Sequence, residues 1–154
     1  MELLERHRRV IYRVCYMYAE DGEHLKDLYQ EVTANIWQGI GSFRGESSEA
    51  TWIYRIALNT CVTFFRRTGR HSMNRVPIEV VTDVADDASE EHIRLLREMY
   101  ELIGRLGKLD KAIVMLWLDE YSYEEIAEMT GLSRTNVGSR LHRIRCRLIE
   151  ESNK

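Results

Sequence analysis

Two sets of side chains in this sequence have types and spacings suited to work on a polyanion. Arg55, Asn59, Thr63, Arg66 and Arg70 recur every three or four residues, so a helix would place them on one face, with Arg67 beside them and Trp52, Tyr54 and Phe65 close by. Guanidinium groups neutralise phosphates, amides and hydroxyls bond to base edges, and aromatic rings stack on bases that have lost their own neighbours. That mixture suits a single strand. The second set is Ser133, Arg134, Thr135, Asn136, Ser139, Arg140 and Arg143, which crowd the N-terminal half of one helical segment near the C-terminus. There they would meet phosphates and base edges in the major groove of a duplex.

Other chemistry is poorly supplied. His142 and Cys146 stand four apart, as metal ligands or a nucleophile pair on a helix would, but arginines at 143, 145 and 147 surround them and no third ligand is near. The remaining histidines, at 7, 24, 71 and 92, are scattered. Cys15, Cys61 and Cys146 are too far apart in sequence for a zinc spacing and odd in number for a disulfide framework, which favours a reducing cytoplasm. The expectation is a protein with no catalytic residues, metal or cofactor. A DNA-processing enzyme would need an activated nucleophile or a carboxylate metal cluster, and the first 70 residues show neither.

The net charge of −3 is unevenly distributed. Residues 1–70 hold 10 basic and 9 acidic side chains, residues 71–93 hold 1 and 6, and residues 94–154 hold 11 and 10. The surplus acid therefore lies in the middle. Residues 50–78 and 133–148 each carry five arginines and no carboxylate, and a local basic face matters more to phosphate binding than the overall sign.

Helical periodicity runs through most of the chain. Leu3, Leu4, Val10, Ile11, Val14 and Tyr18 make one apolar stripe; Leu25, Leu28, Tyr29, Val32, Ile36 and Trp37 a second; Ile53, Ile56, Ala57, Cys61 and Phe64 a third. The stretch "RVPIEVVTDVADDASEEH" holds the only proline and little periodicity, and reads as a linker. The pattern returns from Ile93 to Gly107 and from Leu109 to Asp119. The expected architecture is all-α, with small helical domains over 1–71 and 93–154 joined by an acidic linker over 72–92. No apolar run approaches a membrane span, and the arginine-studded N-terminal segment has no signal-peptide core.

The last segment, "SYEEIAEMTGLSRTNVGSRLHRIRCRL", reads as a helix-turn-helix. Ser122 with Glu125 forms a capping box, Gly131 supplies the turn, and Ser133 caps the next helix. Ala127 is the small residue that lets the two helices approach, and Val137, Leu141, Ile144 and Leu148 form a buried stripe. A regulator that binds only duplex DNA would account for this segment, but it leaves the arginine–aromatic helix and the polar Asp27, Gln30, Glu31 and Gln38 face without a role.

"DLYQEVTANIWQGIGSFRGESSEATWIYRIALNTCVTFFRR", followed by the acidic linker and this helix-turn-helix, resembles bacterial extracytoplasmic-function (ECF) sigma factors of RNA polymerase over most of the chain. The resemblance implies that the first domain binds core RNA polymerase and the −10 promoter strand, while the second reads duplex DNA at the −35 element. Asp27, Gln30 and Glu31 match the segment that docks on the polymerase. Tyr54, Asn59 and Thr63 match positions facing the −10 strand, and the loop Ser42–Ala50 matches one that pockets a flipped-out base. Many relatives are held inactive by an anti-sigma factor, and a two-domain form with a linker suits such clamping. Two residues depart from the family pattern. Glu49 stands where an aromatic or apolar residue is common, and Gly138 where many relatives have arginine.

Overall fold

The computed structural model describes residues 1–68 and 89–154, with side chains up to Phe64 in the first stretch. Its described residues form eight α-helices and no strand: α1 (Glu2–Arg6), α2 (Arg8–Tyr18), α3 (Gly22–Gly39), α4 (Glu49–Thr68), α5 (Glu90–Gly104), α6 (Lys108–Leu118), α7 (Tyr123–Thr130) and α8 (Arg134–Ser152). They divide into two compact units, Met1–Arg97 and Glu98–Lys154. Most of the expected linker, residues 69–88, lies outside the described residues. Its last described residues are helical: α5 begins at Glu90, where the Ser89 hydroxyl accepts the His92 amide at 3.2 Å.

In the first unit α2, α3 and α4 pack on one another. The stripes expected from periodicity supply the core: Ile11, Val14 and Tyr18 from α2, Leu25, Leu28, Val32 and Ile36 from α3, Ile53, Ala57 and Cys61 from α4. Each large aliphatic side chain so buried contributes about 1.5–3 kcal/mol. The first stripe is not one helix, since the chain breaks at His7, whose φ of −109° and ψ of 12° end α1 and begin α2. Asp21 caps α3 by accepting the His24 amide at 2.8 Å. Outside the core, Tyr12 and Tyr29 stack at 4.2 Å between ring centres, with the Arg8 guanidinium 5.5 Å from the Tyr12 ring, and so tie α2 to α3. Burial raises the Tyr29 hydroxyl pKa, with Tyr12 adding to the effect.

In the second unit α6, α7 and α8 pack on one another, and Lys111 to Leu116 of α6 are buried in one run. Burial lowers the Lys111 ammonium pKa. Ser122 and Glu125 exchange both capping bonds, Glu125 N to Ser122 Oγ at 3.2 Å and Ser122 N to Glu125 Oε2 at 2.7 Å. Gly131 ends α7 with φ of 76°, a conformation strained for any side chain with a Cβ. Ser133 then caps α8 through the Asn136 amide at 3.1 Å. Val137, Leu141 and Ile144 are buried as expected, while Leu148 is only half-buried.

Candidate nucleic-acid interface

On α4 the apolar side turns Ile53, Ala57 and Cys61 inward, and the helical period then forces Arg55, Asn59 and Thr63 outward, where all three are exposed. Tyr54 departs from expectation. Its ring is 1% exposed and belongs to the core, one position round the helix from Arg55, so it cannot stack on a base. Trp52 is half-buried and leans on Phe43 at 5.1 Å between ring centres. Arg66 and Arg67 lie in the last turns of α4, but their side chains, like that of Phe65, are outside the described residues, as is Arg70 altogether.

Along α3, Asp27, Gln30 and Glu31 are exposed on one face, and Ala34, Trp37 and Gln38 continue it. Trp37 was expected in the apolar stripe, yet it is 59% exposed. The spacing 27, 30/31, 34, 37/38 marks it as a member of the outer face, but a hydrophobic residue next to buried Ile36 reads as core when hydrophobicity is weighed first. Between α3 and α4 lies a cleft of about 300 Å³ lined by Glu31, Asn35, Asn59, Thr60, Thr63 and Phe64. Asn35 donates to Thr60 Oγ1 at 2.9 Å, and Thr60 in turn donates to the Ile56 carbonyl at 2.7 Å. Glu31 from the docking set and Asn59 from the strand-facing set therefore border one cleft. Asn35 and Thr60 line the same cleft, and no sequence motif marks either.

The irregular chain between α3 and α4 is shorter than the loop expected over Ser42–Ala50. Residues Ile40–Ser42 form a 3₁₀ turn and α4 begins at Glu49. Glu49 does not face outward alone. Its carboxylate lies 3.3 Å from His7 Nε2 and 3.6 Å from Arg6 Nη2, so one cationic partner and one imidazole stand against it.

Ser133, which caps α8, and Arg134, Thr135, Asn136, Ser139 and Arg143 on it are all exposed. Arg140 is different. It is half-buried, its Nη1 lies 3.0 Å from Asp110 Oδ1 on α6, and its Nε is buried without a hydrogen-bond partner. Arg134 pairs with Glu124 on α7 at 2.6 Å. Two arginines expected to face DNA are thus held by carboxylates of neighbouring helices. Gly138 sits against Tyr123, and a Cβ there would lie 3.5 Å from the ring. The described residues contain no cluster of three or more potential metal ligands, and no described helix is long and apolar enough to cross a membrane.

The chain folds as two compact helical units, the second carrying a capped α7–turn–α8 pair, and two known families match along it. The Sigma-70 region 2 family matches residues 3–71, and the Sigma-70 region 4 family residues 96–148. RNA polymerase sigma factor YlaC of Bacillus subtilis is 33% identical over 137 residues, spanning 86% of this chain and 79% of that protein. ECF RNA polymerase sigma factor SigM of Mycobacterium tuberculosis is 29% identical over 148 residues, spanning 96% and 74%. Among solved structures, the sigma factor RpoE in complex with the anti-sigma factor NepR from Bartonella quintana superposes with a TM-score of 0.75 at 20% identity, covering 96% of this chain and 92% of that one. The chain belongs to the ECF RNA polymerase sigma factors. It directs promoter-specific transcription initiation, with core RNA polymerase and promoter DNA as partners.

Proposed function

We propose that the two units divide promoter recognition as follows. Residues 1–71 bind core polymerase through Asp27, Gln30 and Glu31, with Trp37 extending the contact, and hold the separated −10 strand on Arg55, Asn59 and Thr63. Arg66, Arg67 and Arg70 would neutralise the backbone of that strand. Residues 93–154 read the −35 duplex with α8, where Asn136, Ser139 and Arg143 face the bases and Ser133, Arg134 and Thr135 face the phosphates. The polymerase supplies the catalysis in the cytoplasm, and this chain supplies promoter choice without catalytic residues or a cofactor of its own. The observation that carries the reading is the coexistence of two exposed arginine-and-amide faces on separate units, Arg55–Asn59–Thr63 and Asn136–Ser139–Arg143. A duplex-only regulator would use the second and leave the first idle.

The Bartonella relative was captured with its anti-sigma factor, which supports a partner of that kind here. The deciding experiment is reconstitution with core polymerase on a library of promoter fragments. Start-site-specific transcripts that depend on the added chain are expected. Duplex binding without polymerase association or strand opening would favour the duplex-only regulator instead.

A further inference from the structure

We propose that Glu49 is a positioning residue that sets the base preference of the loop between α3 and α4 by tying the loop's base to the α1–α2 junction. The inference rests on the expectation, carried by the family resemblance, that the loop within Ser42–Ala50 takes up a flipped-out −10 base, and adds to it a determinant remote from the strand.

The loop, Phe43–Ser48, is fastened at its two ends. At the start the Phe43 ring leans on Trp52, and the α3 terminus approaches so closely that a Cβ on Gly39 would lie 3.3 Å from the same indole. At the end the Ser48 hydroxyl accepts the Thr51 amide at 3.1 Å and lies 2.9 Å from the Thr51 hydroxyl. Between them Gly45, with φ of 73°, turns the chain, and Arg44, Gly45 and Glu46 form an exposed tip. Both fastenings lead back to α4 or to the end of α3. The link to a different element is Glu49, which reaches across 42 residues of sequence to His7 and pairs also with Arg6.

The break between α1 and α2 falls at His7, so the junction presents Arg6 and His7 side by side to one carboxylate. His7 keeps only 17% of its side-chain surface exposed and is held against the fold, whereas Arg6 and Glu49 keep 56% and 39%. A carboxylate accepts the hydrogen on Nε2 while a guanidinium balances its charge. In the first turn of α4 the same carboxylate also complements the positive end of the helix. An apolar residue at this position could form neither contact. Removing the carboxylate would free the first turn of α4 and, through Ser48, the loop that it closes.

The test uses holoenzyme reconstituted from core polymerase and the full chain. A pool of single-stranded DNA randomised over six positions is selected on wild type, on Glu49→Gln and on the double variant Arg6→Gln with His7→Gln. Wild type is expected to enrich a defined sequence. Both variants should lose about two- to five-fold of the preference at one and the same position, the scale set by exposed ion pairs. Enrichment at the other positions and affinity for core polymerase should be unchanged, which shows that the variants are folded. Wild-type preference retained in Glu49→Gln would overturn the proposal. So would a loss confined to Glu49→Gln, because that pattern marks direct contact between Glu49 and a base. A wild-type holoenzyme that enriches nothing would remove the −10 reading itself, and the proposal with it.

Discussion

Arg140 on α8 reaches back to Asp110 in the first turn of α6, Nη1 to Oδ1 at 3.0 Å, with less than a third of either side chain exposed. The pair joins α8 to α6, the two helices it packs between. It also uses a donor that a base or phosphate would otherwise take.

This arrangement separates Arg140 from Arg143. Arg140→Ala should lower the stability of the chain by about 1–3 kcal/mol, the worth of a partly buried charged hydrogen bond. Its effect on −35 duplex affinity should be even across sequences. Arg143→Ala should leave stability unchanged and cost about 1–3 kcal/mol of discrimination at one base pair. Thermal unfolding and gel shifts on single-base variants of the −35 duplex check both. An Arg140→Ala protein with normal stability and altered base preference would reverse the two roles.

Reading the sequence located what periodicity and capping chemistry control. The capping box at Ser122, the turn at Gly131 and the buried positions 137, 141 and 144 follow from local rules and occur as expected. It misplaced Tyr54 and Trp37 because one step round a helix is 100° and both rings are ambiguous between core and surface. It could not see Asp110 meeting Arg140, or Glu49 meeting His7, because those contacts join residues 30 and 42 positions apart. Only the packed fold brings them together.

Trp37 offers a direct test of the docking face. A ring left 59% exposed beside Asp27, Gln30 and Glu31 contributes little to the fold, but it has the character of an interface anchor. Trp37→Ala should leave the unfolding midpoint nearly unchanged and weaken core polymerase binding by about 2 kcal/mol or more. Asp27→Lys with Glu31→Lys should abolish association altogether, since reversed charge opposes a complementary surface. Competition against a labelled reference sigma factor for core polymerase measures both.

Gly138 lies inside α8, where glycine costs about 0.5–1 kcal/mol against alanine. A Cβ there would meet the Tyr123 ring at 3.5 and 3.7 Å, an ordinary contact distance. Gly138→Ala should therefore stabilise the chain by about that amount and raise the midpoint of thermal unfolding. A fall in the midpoint would mean that Tyr123 cannot accommodate even a methyl group.

The three thiols should differ in reactivity. Cys15 and Cys61 are fully buried; the hydrogen bond to Cys15, with burial adding to it, raises the Cys61 thiol pKa well above its ordinary value. Cys146 is exposed on α8. At neutral pH a maleimide should label Cys146 alone in the native chain and all three after denaturation, as read by intact mass. Native labelling of Cys61 would show that the α2–α4 core opens readily.

The strand-facing assignment of α4 yields the prediction with most consequence for function. Arg55, Asn59 and Thr63 are exposed in line, and Asn59 and Thr63 border the cleft that also contains Glu31. Asn59→Ala with Thr63→Ala should let holoenzyme bind promoter DNA but fail to keep it open, because base contacts that offset the cost of separating the strands are lost. Arg55→Ala removes one phosphate contact, so it should weaken strand binding for every sequence and reduce the salt dependence by about one counterion. Neither change touches α8, so binding of the −35 duplex should be preserved. Permanganate reactivity of −10 thymines, measured beside a gel shift on the same promoter, separates opening from binding. Full thymine reactivity in the Asn59–Thr63 variant at moderate salt would mean that this face is ordinary solvated surface and that another part of the chain holds the open strand.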